Sequence, residues 1–374
     1  MNTFDPLTHS QQLLLALLKL ALWNTVPDTT LFAKADNTVW NEVFHLSVDQ
    51  GIKAIVFDGI MLLPEELKPS RSVKISWALN TEAIERRYEQ ELAVANEIAG
   101  VFAKNDIKTL LFKGIGLSQY YPVPQHREFG DIDIYLFGKQ KEGDRLLVQM
   151  GAIKEKNDIS RHTGLIYKGI SVDNHKHFLL SDNFHKATIL EAHLLQSLAD
   201  CKPLNKGFVN TALLPPPDFD ILFIACHALR HFLDGFLALR HLCDWALFLK
   251  ANRGNIDFAA YRRLITESGL LKLADAFTAL SVKYLELDPD MAPPFDRNPM
   301  LEDKIIQNAF NYLYFPKTKK RSPFNIVRHK IKVLTSKKWK YNELLYPRQF
   351  YNSVWEAMIF HLRHPAMPVK MQTK

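Results

Sequence analysis

With 374 residues, 47% hydrophobic and 23% charged, the chain has the composition of a folded globular protein and not of a disordered one. Its net charge of +7 is modest and uneven, because residues 315–348 hold eleven Lys/Arg against one acid. Such a face favours anionic partners (nucleotides, nucleic acid or acidic membranes), although a basic helix simply solvated by water fits equally well. Cys201, Cys226 and Cys243 are odd in number and lack CxxC spacing, which argues against a disulfide framework or a cysteine metal site and suits a reducing cytoplasm.

Residues 1–105 read as helical. The apolar run at 12–23 carries Lys19, follows Asp5 instead of a basic cluster and lacks a small-residue cleavage site, so a buried helix is predicted, not a signal segment. No run reaches the roughly 18 apolar residues that span a bilayer. Helical spacing recurs at 39–50 and at 80–106, where Ala83, Tyr88, Leu92, Ala95 and Ile98 share a stripe. Pro64, Pro69 and Ser70 mark a loop before that long helix. At 107–114 the pattern changes to a short β-like run ending in Gly114, followed by a short helix within 115–122 that prolines close. The stretch "EFGDIDIYLFG" (128–138) reads as a strand whose alternation points Asp131, Asp133 and Tyr135 one way and Ile132, Ile134 and Leu136 the other. A helix over about 139–150 follows, then strands at 162–168 and 170–180 joined by a tight Lys168-Gly169 turn. From Pro215 the chain turns helical again, with helices within 214–236 and 238–250, another near 256–285, and a basic set after Pro293-Pro294. The predicted class is α+β: an N-terminal helical region (1–105), a small mixed-sheet core (106–214), and a C-terminal helical region with a basic tail (215–374).

Three pieces carry chemistry. Lys113-Gly114, at a strand-to-helix turn, offers backbone N–H groups and close backbone approach to a phosphate. Asp131 and Asp133 on one strand face are costly to desolvate side by side unless a hard divalent cation, Mg²⁺ or Mn²⁺, bridges them; a solvated strand end is the plainer alternative. Asp173 in "ISVDNHKHF" supplies a third acid if its strand pairs beside the first, and His175 and His177 would share its face. Metal-assisted phosphoryl or nucleotidyl transfer needs such a third group. His227 and His231, four apart on one helix face, suit a metal pair but equally suit packing, because no third ligand stands near them in the sequence. Arg240 and Asp244 have intrahelical ion-pair spacing.

Taken in order, "LLFKGIGLSQYYP", "REFGDIDIYLF", "SVDNH", "ACHALRH" and "LRHLCDW" resemble the bacterial uncharacterised nucleotidyltransferase family, within the polymerase-beta-like nucleotidyltransferase superfamily. The resemblance is clear from about 10 to 250 and looser in the basic tail. It implies that Asp131, Asp133 and Asp173 are the metal-binding and catalytic carboxylates, that Lys113 and Gly114 form the phosphate-binding turn, and that Arg127 contacts the triphosphate. Two departures stand out: the superfamily usually has Gly-Ser or Gly-Gly where this chain has Lys113-Gly114, and members often have glutamate in place of Asp173. Glu191 is the rival third acid.

The function this implies is a cytoplasmic, metal-dependent transfer of a nucleoside monophosphate from a triphosphate, ATP being the expected one, to an unidentified hydroxyl acceptor. Two alternatives stay open: a degenerate fold kept as a binding or regulatory module, and modification of an RNA end held through residues 315–348, where Phe315, Phe324 and Trp339 are interspersed as stacking would require.

Overall fold

The computed structural model describes residues 6–155, 161–179, 187–204, 212–235, 237–311, 335 and 337–344. The chain begins with α1 (His9–Trp23), α2 (Thr29–Phe32), α3 (Asn37–Gln50), α4 (Lys53–Leu62) and α5 (Arg71–Ala103). A capping box fixes the start of α1: Thr8 Oγ1 accepts from the Gln11 N–H, and the Gln11 side chain accepts from the Thr8 N–H. Its Leu13, Leu14, Leu17 and Leu18 are fully buried, as expected of an internal helix. Gly59 lets α4 lie directly on α1, since a Cβ there would run into the Leu17 carbonyl.

α5 starts right after Ser70, well ahead of the predicted residue 80. The Val73–Ile75–Trp77 alternation looks strand-like, but Trp77 is buried and donates its indole N–H to the Lys53 carbonyl at 3.0 Å, which fixes the first turns against α4.

The central segment runs β1 (Thr109–Phe112), α6 (Gly114–Ser118), β2 (Asp131–Tyr135), α7 (Gln140–Gln149), β3 (Ile153–Lys154), β4 (His162–Tyr167), β5 (Ile170–His175), α8 (Ala187–Ser197), β6 (Lys202–Pro203) and β7 (Ala212–Leu214). The strands make one seven-stranded mixed sheet in the order β3-β4-β5-β2-β1-β7-β6. β1–β2, β3–β4, β4–β5 and β6–β7 are antiparallel, whereas β2–β5 and β1–β7 are parallel. The predicted hairpin is present, with Lys168 and Gly169 both at positive φ, as a tight two-residue connection requires. β5 ends at His175, short of the predicted residue 180. The strands β6 and β7 at one end of the sheet are too short to carry an alternation that sequence reading could detect.

Both faces of the sheet are covered. Leu111, Ile132, Ile134, Leu136, Leu165 and Val172 pack with Ile98 and Phe102 of α5 and Leu147 of α7. On the opposite face Phe112 and Phe178 meet Phe219 and Phe223 edge-on. Those last two belong to α9 (Pro217–Asp234), which is followed by α10 (Leu239–Ala251), α11 (Phe258–Glu267), α12 (Leu271–Leu285) and α13 (Pro299–Phe310). The single helix expected near 256–285 is two, broken around Gly269 at φ +76°. The fold is α+β, with a mixed sheet flanked by helices. Among the described residues no helix is long and apolar enough to cross a membrane.

Most of the basic stretch 315–348, Phe315 and Phe324 included, lies outside the described residues. Where it is described, 337–344 is helical and packs inward through Trp339, Lys340, Tyr341 and Leu344. Trp339 packs edge-on against Phe232 at 5.7 Å, and the buried Lys340 donates to the Phe232 carbonyl at 2.7 Å and to the Gly235 carbonyl.

Candidate active site

Strand register assembles the acids. Parallel pairing of β2 with β5 sets Asp133 opposite Asp173 and Tyr135 opposite His175, so strand alternation brings Asp131, Asp133, Asp173 and His175 to one face. Antiparallel pairing of β1 with β2 sets Phe112 opposite Asp133, and Lys113 follows at the strand end. One oxygen from each of Asp131, Asp133 and Asp173 lies within 4.8 Å of the others. The Lys113 ammonium donates to Asp133 Oδ1 at 2.8 Å and lies 3.6 Å from Asp131 Oδ2. His175 Nε2 donates to the same Asp133 oxygen at 2.8 Å, while Asp133 Oδ2 is buried with no hydrogen-bond partner. His162 Nε2 stands 3.4 Å from Asp173 Oδ2.

These neighbours push the carboxylates apart electrostatically. Burial alone would raise Asp133, but Lys113 and His175 outweigh it and hold its pKa at about 2. Asp173 has no such ammonium in contact; burial, then the charges of Asp133 and Asp131, lift it to about 7. Two acids facing each other across one strand pair therefore differ in protonation at neutral pH, the pattern of a site that moves protons. On α5, burial lifts Glu91 to about 6 despite its ion pair with Arg87, and the Asp131 charge adds to the rise. Glu91 lines a cleft together with Lys53, Arg87, Tyr88, Arg127 and Phe129.

The turn that delivers Lys113 is strained. Lys113 has φ +59° and ψ −122°, a conformation suited to glycine and costing an L-residue on the order of 1–3 kcal/mol. Gly114 follows because a Cβ there would sit 2.9 Å from the Phe129 ring. So the residue that departs from the Gly-Ser or Gly-Gly pattern holds a glycine-like backbone and places an ammonium among the acids.

Arg127 has a buried protein partner that its expected role did not include. It is buried and forked onto Asp244 of α10, with Nε to Oδ1 at 2.7 Å and Nη2 to Oδ2 at 2.8 Å, and its Nη1 donates to the Gly114 carbonyl at 3.3 Å. A guanidinium with three of its five N–H groups committed in this way braces the turn, which points to a positioning role for Arg127 beside the expected contact with a triphosphate. Tyr121 also donates to Asp244, at 2.7 Å. The expected Arg240–Asp244 pairing gives way to this arrangement, and Arg240 donates to the Glu128 carbonyl.

Glu191 accepts from the backbone N–H groups of Phe178 and Leu179, at 3.1 and 2.9 Å, and lies 3.5 Å from His177. It pins the chain beyond β5 instead of joining the three aspartates. His177 departs from the face of Asp173 for the same reason: the strand has ended, and with it the alternation. His227 and His231 lie on α9 and are joined by His241 of α10. Sequence reading missed Glu91, His162, His241 and the role of Asp244. The signal for the last two was "LRHLCDW", which only the packing of α10 interprets.

A family model described as "Uncharacterised nucleotidyltransferase" matches residues 36–286. No curated protein and no solved structure matches the chain.

Proposed function

The chain belongs to this uncharacterised nucleotidyltransferase family, and we propose that it moves a nucleoside monophosphate from a triphosphate to a hydroxyl, using Asp131, Asp133 and Asp173 to hold divalent metal. One observation carries the reading: the Asp133–Asp173 register, which gathers three carboxylates within 4.8 Å and leaves Asp133 Oδ2 unpartnered. An all-oxygen, multiply anionic donor set fits a hard cation such as Mg²⁺ or Mn²⁺. Bound there, the metal would neutralise triphosphate charge and acidify the acceptor hydroxyl.

The protein's own groups perform the rest. The acceptor oxygen attacks the α-phosphorus, the bond to the β-phosphate oxygen breaks, and pyrophosphate leaves. Asp173, the acid of the three with no ammonium in contact, takes the acceptor proton, and His162 Nε2 stands 3.4 Å from its carboxylate. Lys113 is the cation nearest the acids and passes from balancing Asp133 to balancing charge on the leaving phosphates. Arg127, through the Gly114 carbonyl, is a positioning residue for that turn. ATP is the expected donor, and the acceptor class stays open.

The test is incubation with each nucleoside triphosphate, with and without Mg²⁺, followed by mass spectrometry of the protein and of an added cell extract. Mg²⁺-dependent mass addition is expected, abolished in Asp131→Asn and Asp133→Asn while both variants stay folded. Full activity in both variants would overturn the reading. The Lys113 ammonium at 2.8 Å from Asp133 favours a second reading, a binding module in which lysine replaces the metal. Triphosphate binding that ignores Mg²⁺ would speak for it. Transfer to an RNA end gains no support from Trp339 and Lys340, which face inward.

A further inference from the structure

The histidines of α9 and α10 form a second cluster of a different chemical kind. His227 and His231 are one helical turn apart, and His241 comes to them from the neighbouring helix. The ring centroids are 4.4 Å apart for 227–231, 4.8 Å for 231–241 and 5.7 Å for 227–241. One ring nitrogen from each lies within 4.8 Å of the others. His241 is only 5% exposed, and neither of its ring nitrogens has a hydrogen-bond partner. A buried imidazole normally satisfies its N–H and its lone pair, so two orphaned nitrogens facing two further rings call for a ligand.

We propose that His227, His231 and His241 form a trihistidine site for a borderline transition-metal ion of the Zn²⁺ type, separate from the aspartate site. Three imidazoles with no carboxylate select Zn²⁺, Co²⁺, Ni²⁺ or Cu²⁺ over Mg²⁺. Tetrahedral ligation at Zn–N distances of ~2.0–2.1 Å sets ligand nitrogens ~3.4 Å apart, so the three rings, whose nitrogens lie within 4.8 Å of one another, would close in on a bound ion. Burial, Arg230, Arg240, Lys113 and the rings themselves keep all three imidazoles neutral, with lone pairs available. The same cations, with Arg127, outnumber Asp133, whose charge acts on His231 in the opposite sense, and so oppose a bare dication. They therefore favour an anionic fourth ligand, hydroxide or a phosphate oxygen, at the position that three protein ligands leave open. Phe223, stacked on His227 at 5.6 Å, walls one side.

The test is Co²⁺ titration of chelator-stripped full-length protein, read by the visible bands of low-coordinate, nitrogen-ligated Co²⁺. The wild type should gain them at one ion per chain, with Zn²⁺ competing. His241→Gln and His227→Gln should each lose them. Asp173→Asn should keep them, and it is decisive because Asp173 belongs to both other groups of potential ligands, His162–Asp173–His175 and Asp131–Asp133–Asp173. If His241→Gln fails to fold by circular dichroism, the half-buried His227→Gln decides alone. Absence of the bands in the wild type, their persistence in a folded histidine variant, or their loss in Asp173→Asn would overturn the proposal.

Discussion

Replacing Lys113 with methionine isolates the charge that balances the acids. Methionine keeps a Cβ and an unbranched stem, so the strain at φ +59° carries over and only the ammonium is lost. The Asp133 carboxylate, wholly buried and 2.8 Å from that ammonium, has its pKa held at about 2. Relative to an ordinary aspartate, that depression corresponds to about 2 kcal/mol of stability at neutral pH, and removing one partner of a buried pair typically costs about 3–5 kcal/mol. Lys113→Met should therefore lose about 2–5 kcal/mol at pH 7 without divalent cation. The contribution of Asp133 to the pH dependence changes sense, adding to the fall with rising pH that Asp173 already gives the wild type. In the wild type a depressed acid stabilises above its unfolded pKa, near 3.8, and the benefit is lost as pH falls through about 2. Without the ammonium the folded carboxylates hold protons that the unfolded chain has released, so stability falls as pH rises. Urea denaturation at pH 5 and pH 8, in chelator and in Mg²⁺, reads this directly. The deficit should widen towards pH 8 and shrink in Mg²⁺. A variant as stable as wild type at pH 8 in chelator would refute the reasoning.

Asp173 makes a related prediction. With its folded pKa raised to about 7, the native state binds a proton that the unfolded state lacks between about pH 4 and 7, so the cation-free protein should lose up to about 4 kcal/mol across that window as pH rises. Asp173→Asn should flatten that slope in thermal melts while abolishing transfer; parallel slopes for the two proteins would refute it. Asp244→Asn strips Arg127 of a buried partner and should cost about 3–5 kcal/mol by denaturation, with a fall in kcat/KM because Arg127 also holds the Gly114 carbonyl. A cost under about 1 kcal/mol, as for an exposed pair, would show that the fork is dispensable.

What could be read in advance follows how local each feature is. The division of β2 into an acidic and an apolar face is a property of five consecutive residues, and Ile132 and Ile134 are buried as the alternation requires. The β4–β5 hairpin is equally local. The Asp133–Asp173 register is not: parallel strands leave no turn to fix it, and only the order of motifs pointed to Asp173. The anchoring of Arg127 was not legible because its partner lies 117 residues along the chain, and no spacing rule reaches Asp244 across three intervening helices and most of the sheet. His177 was placed on the face of Asp173 because strand length is decided by tertiary pairing: β5 ends at His175, and Glu191 of α8, the rival third acid, instead holds the backbone at Phe178 and Leu179. His241 needed the contact of α9 with α10, since its two partners precede it by ten and fourteen positions and belong to another helix.

Asp244 and His241 stand three apart on the same helix, and this joins the two sites physically. Asp244 fixes Arg127, Arg127 holds the Gly114 carbonyl, and Gly114 follows the residue whose ammonium sits on Asp133. A shift of α10 therefore acts at once on the turn beside the aspartates and on one ligand of the histidine cluster. Such a shift would also strand a buried guanidinium, which makes the coupling stiff. An ion seated on His227, His231 and His241 ties α10 to α9, the helix whose Phe219 and Phe223 pack against Phe112 at the end of β1. Both routes arrive at Lys113, one through Gly114 and one through Phe112. The helical region after Pro215 is thus a structural part of the acidic site, and metal at the histidines would steady the strained turn on which Lys113 depends.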